Sequence, residues 1–264
     1  NMQAYFRSFW SGVRASWAML AVELTPVVFF GAKIPRVVLQ ALFFVLIAKA
    51  AGGNEMARFA LIGNAVHAAV FPAIISFAIV IEIEKWAGTL PLLVASPMHW
   101  LPAMVGRSAA TFGNAVFNTV IVLALLVPVI APDIALINLL RAVPVFLITL
   151  IATAGLGWLV GAIALPMRWG TLISNMTGYA MMITCGVNFP FTALPPAAQW
   201  LGRALPVTHG LLAIRLVIDG APYSQVAGLM GTEMLIGLIY GVVAWMTFGY
   251  RLKAARQNGN LELV

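Results

Sequence analysis

The side chains of this chain that could do chemistry are few, and nearly all lie inside long apolar runs or at their edges. Asn64, His67 and Phe71 recur at helical spacing in one run, Asn175, Tyr179 and Met182 in another with Met181 alongside, and Arg107, Thr111, Asn114 and Asn118 in a third. A polar stripe on an apolar helix costs free energy in lipid, so each stripe must face the inside of a bundle or a wet cavity. Two kinds of chemistry follow: hydrogen bonds between helices, worth about 0.6–2 kcal/mol each, or a path for a ligand. Amide, aromatic and methionine side chains together suit an adaptable, amphipathic ligand. A proton relay through His67 needs acidic or histidine neighbours, and its own run offers none before Glu82. Glu233 is the one acid placed for proton coupling, near the outer end of the last run. His67, His99 and His209 fall in different regions, so no nucleophile, base and orienting group converge as a hydrolase requires. No Gly-x-x-x-x-Gly-Lys-Ser/Thr loop is present to cradle ATP phosphates, and a lone cysteine, Cys185, excludes an intrachain disulfide or a thiolate metal cluster.

The elements that must position these groups are set by composition. Of 264 residues 62% are hydrophobic and 9% charged, and the mean hydropathy is +0.99. Lipid is therefore the solvent for most of the chain, and with roughly 20 apolar residues per crossing the length accommodates six spans. They are expected at about 35–51, 58–81, 101–130, 142–165, 171–187 and 226–250, the first two joined by the turn Gly52, Gly53, Asn54. The first span, rather than a cleavable leader, is expected to be the insertion signal. Residues 2–24 place Tyr5, Phe6, Phe9, Trp10, Val13, Trp17 and Leu20 on one stripe with Arg7 and Arg14 off it, the pattern of an amphipathic helix lying in the membrane interface. Residues 188–220 are apolar but broken by Pro190, Pro195, Pro196 and Pro206, with Arg203, His209 and Arg215 embedded. Such a segment suits a re-entrant, outer-face hairpin covered by protein. There Asp219 is the acid expected to pair with Arg215. Thr153, Gly157 and Gly161 form a small-residue face for close helix approach.

The net charge of +7 comes from cations that punctuate the ends of apolar runs, which is a topology signal rather than a nucleic-acid face. With both termini inside, only Lys49, Arg58, Arg141, Arg203 and Arg215 of the 15 Lys and Arg lie outside. Cytoplasmic termini are the better topology, and they place residues 82–100 in the cytoplasm.

The wording of that segment is specific. Glu82-Ile83-Glu84-Lys85-Trp86-Ala87-Gly88-Thr89-Leu90, then Leu92-Leu93-Val94-Ala95-Ser96-Pro97, resembles the acidic-x-acidic, Gly-Thr-Leu and Ser/Thr-Pro signature between spans two and three of type-2 ABC exporter permeases. Asn188-Phe189-Pro190 to Leu194-Pro195, then Leu205-Pro206-Val207-Thr208-His209-Gly210 and Arg215, is similar to that family's re-entrant segment before the last span. The order and spacing of these motifs cover nearly the whole chain.

The resemblance implies an all-α integral membrane protein. It has an interfacial helix at 2–24 and a six-span permease domain at 25–264 in the cell membrane, paired with a second permease chain, identical or paralogous. It implies cytoplasmic ABC ATPases that bind ATP and Mg in trans, with no cofactor, metal or catalytic residue on this chain. Gly88, Thr89, Leu90, Leu92 and Leu93 would form the coupling helix seated on the ATPase. Glu82 and Glu84 would brace it against the interfacial helix through Arg7 or Arg14. Spans two and five would line the path with Asn64, His67, Phe71, Asn175, Tyr179, Met181 and Met182, while the stripe of span three would be structural. The cargo expected is a hydrophobic or amphipathic drug, antibiotic or lipid-linked molecule, exported by alternating access; a polysaccharide or glycolipid exporter and a proton-coupled transporter are the alternatives.

Overall fold

A computed structural model describes residues 2–23, 25–86, 88, 100–165, 167 and 170–258 of the chain. Among them every long element is a helix: α1 (Met2–Glu23), α2 (Ile34–Trp86), α3 (Trp100–Ile130), α4 (Leu136–Ala164), α5 (Gly170–Thr184), α6 (Pro196–Ala204), α7 (Thr208–Ile218) and α8 (Tyr223–Asn258). Among the described residues four helical segments are long and apolar enough to cross a membrane, Pro26–Ile83, Val105–Ile130, Leu136–Ala164 and Tyr223–Arg251, and α6 with α7, bent by 88°, makes a fifth if counted as one. Six spans is thus more than length and composition alone mark out, for two reasons. The first segment is 58 residues long but leaves helical geometry at Gly52 and Gly53, so α2 is two arms, 34–51 and 54–86. Gly53 has φ +73°, a conformation closed to most side chains, and this is what allows the chain to turn. The other reason is α5, whose 15 residues span only about 22 Å.

Prolines shape these helices. Pro35 has no N–H to give the Gly31 carbonyl, and immediately before it the helix widens into a π-turn, Phe29–Lys33. Pro72 likewise frees the carbonyl of Ala68 inside the second arm of α2, and Asn118 of α3 supplies the missing donor, with its Nδ2 3.4 Å away. One turn earlier the Thr119 hydroxyl donates to the Ala65 carbonyl at 2.7 Å. The polar stripe of the third span is therefore structural at Asn118, as expected.

The core is built where α2 packs on α3, α4 and α5, and α7 and α8 pack on α4. Gly157 admits the Ala73 carbonyl of α2, 2.8 Å from where a Cβ would sit, which confirms its expected role in close helix approach. The helix α1 docks on α3 through its small residues: Ser8, Gly12, Val13 and Ser16 are buried, and the Ser16 hydroxyl reaches the Gly106 carbonyl at 3.3 Å. Its aromatic residues Tyr5, Phe6, Trp10 and Trp17 face outward, together with Arg7 and Arg14.

At the end of the bundle that carries the Gly52–Gly53 break, Arg58 bridges two loops, 3.1 Å from Asp133 and 2.7 Å from Asp219. This corrects the expected pairing of Asp219 with Arg215. Both acids are more than half exposed, and exposed pairs are worth about 0–1 kcal/mol. Arg58→Ala should therefore leave the thermal unfolding midpoint of the detergent-purified chain within about 2 °C of wild type; a larger loss would show that the pair is shielded.

Candidate functional site

Helical spacing brings Asn64, His67 and Phe71 onto one side of the second arm of α2, where they border a cavity of about 180 Å³. The first arm closes it with Arg36 and Gln40, α3 with Asn118, and α5 with Tyr179. Two of these groups are held in place. Asn64 is buried and its Nδ2 donates to the Ala60 carbonyl at 2.8 Å and to Asn188 Oδ1 at 2.7 Å. His67 Nε2 lies 3.4 Å from the Gly178 carbonyl, a pure acceptor, which favours the tautomer protonated at Nε2. The rings of His67, Phe71 and Tyr179 then follow one another at centroid separations of 5.7 and 5.3 Å. Tyr179 is half exposed, so this aromatic row runs from the interior to the outside of α5.

The other expected path residues are placed differently. Met181 is fully buried and belongs to the hydrophobic core, against which Met182 also packs. The expectation that both line the path is corrected: at this helical phase they point into the bundle while Tyr179 points out of it. Asn175 is half-buried on α5 and does not border the cavity. Arg36, Gln40 and Asn118 do border it. The sequence pattern marks Arg36 as a cation at the end of an apolar run and Asn118 as part of a structural stripe and gives Gln40 no role, and only the pairing of the α2 arms shows that they meet.

The proline-broken segment 188–220 has its own geometry. Pro190 precedes a single 3-10 turn, Pro195 caps α6, and Pro206 lies in the bend before α7. At that bend Val207 adopts φ +88°, rare for a β-branched residue. Its N–H donates to Glu233 of α8, whose other carboxylate oxygen accepts the Gly210 N–H at 3.0 Å. Glu233 thus caps α7 from a neighbouring helix. At the other end of α7 the Arg215 guanidinium donates to the carbonyls of Gly186, Val187 and Phe59 at 3.0, 3.1 and 3.2 Å. It also stacks 3.4 Å from the Phe59 ring centroid. His209, in the first turn of α7, is half-buried.

At the opposite end of the bundle the carboxylate of Glu82 accepts hydrogen bonds from the Thr171 hydroxyl and, at 3.5 Å, from its backbone N–H. For Glu82 this replaces the expected brace to Arg7 or Arg14, both of which are exposed. It ties the end of α2 to the first turn of α5, the helix that carries Tyr179. Gly88 has φ +65°. The side chain of Glu84, and Thr89, Leu90, Leu92 and Leu93, lie outside the described residues.

A sequence model described as ABC-2 type transporter matches residues 13–218. The chain is 32% identical over 90 residues to Nodulation protein J of Rhizobium meliloti (strain 1021), a stretch covering 34% of each chain. It is 34% identical over 88 residues to the protein of that name from Rhizobium leguminosarum bv. viciae, covering 33% of this chain and 34% of the relative. The matched stretch thus spans about a third of these curated relatives.

Proposed function

Because the chain belongs to the ABC-2 type transporter family, we propose that it is the permease subunit of an ATP-driven exporter, with ATP and Mg bound by separate cytoplasmic ABC ATPases and a second permease chain completing the path. The observation that carries this reading is the cavity between the two arms of α2, α3 and α5: a polar and aromatic pocket inside a bundle otherwise made for lipid. Such a pocket has a desolvation cost that helix packing alone does not require.

Six crossings are obtained by counting the two arms of α2, then α3, α4, α5 and α8, with α6 and α7 re-entering from one side. Exposed apolar residues on the first arm, such as Leu39, Phe43 and Ile47, and on α5, Leu172, Met176 and Ile183, give a face for the second chain beside Tyr179. Alternating access then has a mechanical route. The cytoplasmic segment 82–100 meets the ATPase, and Glu82 passes its displacement to α5 through Thr171, which moves Tyr179 at the cavity. Glu84, Leu90, Leu92 and Leu93 complete the contact surface in this reading.

The cargo is amphipathic. Amide, imidazole and guanidinium groups next to the rings of Phe71 and Tyr179 favour a molecule with a polar head over a purely hydrophobic drug, so a lipid-linked or glycolipid cargo is the form of the reading that the cavity supports best. Proton coupling is less favoured, since the carboxylate of Glu233 is engaged by backbone N–H groups.

The test is capture of an ATPase. Co-expressed with candidate cytoplasmic ABC ATPases, the wild-type chain should retain one through purification. A variant with Gly88→Pro and Leu90→Asp should lose at least tenfold of the bound ATPase while remaining folded in the membrane, because proline cannot adopt the positive φ of Gly88. Equal capture by both chains, or none by either, would remove the coupling assignment.

A further inference from the structure

We propose that Arg36 is the binding group for an anionic headgroup, phosphate or carboxylate, of the amphiphile that enters the cavity; this rests on the export path proposed above and names its ligand chemistry. Arg36 is exposed at the lip of the cavity, and no acidic side chain lines that cavity among the described residues. The neighbouring cation on the same helix face, Lys33, is buried with its Nζ 5.7 Å from the centre of the Phe117 ring. Arg36 is therefore the cation that the cavity presents.

Its depth fits a headgroup. Sixteen residues of helix separate Arg36 from Gly52, about 24 Å at 1.5 Å per residue, in a hydrocarbon layer about 30 Å thick. The guanidinium lies close to the membrane edge opposite the Gly52–Gly53 turn, and Asn64 closes the cavity nearer the middle. An amphiphile arriving from that leaflet meets Arg36 with its head while its tail stays alongside Leu39 and Phe43, which face outward from the same arm. A planar guanidinium pairs with phosphate or carboxylate through two parallel hydrogen bonds, while Gln40, one turn along the same arm, offers an amide donor to a remaining oxygen.

The full chain is reconstituted in nanodiscs of a zwitterionic lipid and titrated with dodecyl phosphate, with the shift of its unfolding midpoint as the readout. Wild type should bind with saturation, and Arg36→Gln should bind about tenfold or more weakly, the equivalent of about 1.4 kcal/mol. Lys253→Gln, which removes an exposed cation from α8, should bind as wild type does. Dodecyl maltoside, uncharged, and inorganic phosphate alone should give no shift that depends on Arg36. Equal binding by Arg36→Gln and wild type, equal weakening by Lys253→Gln, or saturation by inorganic phosphate at the same concentrations would each overturn the assignment. The measurement needs no ATPase, so failure to capture one leaves it standing and removes only the export role.

Discussion

Replacing Arg215 by methionine should cost about 3 kcal/mol or more of stability, a loss of several degrees in the unfolding midpoint of the purified chain. Arg215 is 9% exposed and gives three hydrogen bonds to backbone carbonyls on two other segments. Two of those carbonyls, of Gly186 and Val187, follow the C-terminal end of α5, where helical partners run out. The third, of Phe59, belongs to α2, whose ring also lies under the guanidinium. One side chain of α7 thus fastens the proline-broken segment to α2 and to the end of α5, two of the three helices that border the cavity. Hydrogen bonds to a charged donor are worth about 1.5–3 kcal/mol each, and methionine would take the donor from the Gly186 and Val187 carbonyls, which lie past the end of α5, while Phe59 keeps its place in the helix ladder of α2. Arg215→Lys should recover little, because a point charge cannot serve three carbonyls spread across a planar fork. Gly63 tightens the same junction: a Cβ there would sit 2.0 Å from the Val187 carbonyl and 2.9 Å from Arg215 Nη2. The comparison with Arg58→Ala is the check, since removal of an arginine whose partners are exposed acids should be nearly silent. If the two variants unfold at the same temperature, the role given to Arg215 is wrong.

Glu233→Leu should destabilise the chain by about 2–4 kcal/mol and Glu233→Gln by less, both with loss of monodisperse protein. The carboxylate is fully buried, and its two oxygens take the N–H of Val207 at the bend and that of Gly210 in the first turn of α7. Those amides are among the four that any helix leaves without partners at its start. Here the capping group comes from α8 and also holds Val207 at φ +88°, a backbone state that costs of order 1–3 kcal/mol and persists only when its surroundings fix it. Glutamine keeps one acceptor but turns an amide donor toward an N–H, while leucine leaves both amides unpaired. The order wild type, Gln, Leu in unfolding midpoint is the expected result. A Glu233→Gln chain of unchanged stability that had nonetheless lost transport would point to a proton-coupled role.

Arg215 and Glu233 show where sequence reading stops. Both were visible as rare charged residues in apolar runs, and a charge in such a run marks a group with a specific partner. Their partners were not visible. Arg215 was assigned to Asp219, four residues along the same helix, yet it reaches backbone carbonyls of two other segments, and Asp219 turns to Arg58. Backbone carbonyls have no sequence signature, so such a pairing is legible only after the segments have packed. Glu82 teaches the same lesson, since its partner Thr171 lies 89 residues away with nothing in its neighbourhood to announce it.

What the sequence determined by itself is what depends on local composition and period. Runs of apolar residues fixed the helices and their approximate ends, Gly52 and Gly53 fixed the turn between the first two, and the prolines of residues 190–206 fixed a broken segment, because each acts on its own stretch of backbone. The order of motifs also sufficed for the family. Tertiary structure alone decided which polar groups share a space. Met181 enters the core while Tyr179, two residues away, opens onto the cavity, and Asn118 turns out to serve the carbonyl that Pro72 leaves free. Arg36 meets Asn64 because the chain reverses at Gly53. Contacts of this kind depend on the rotation and depth of whole helices relative to one another, quantities that no local pattern of residues encodes.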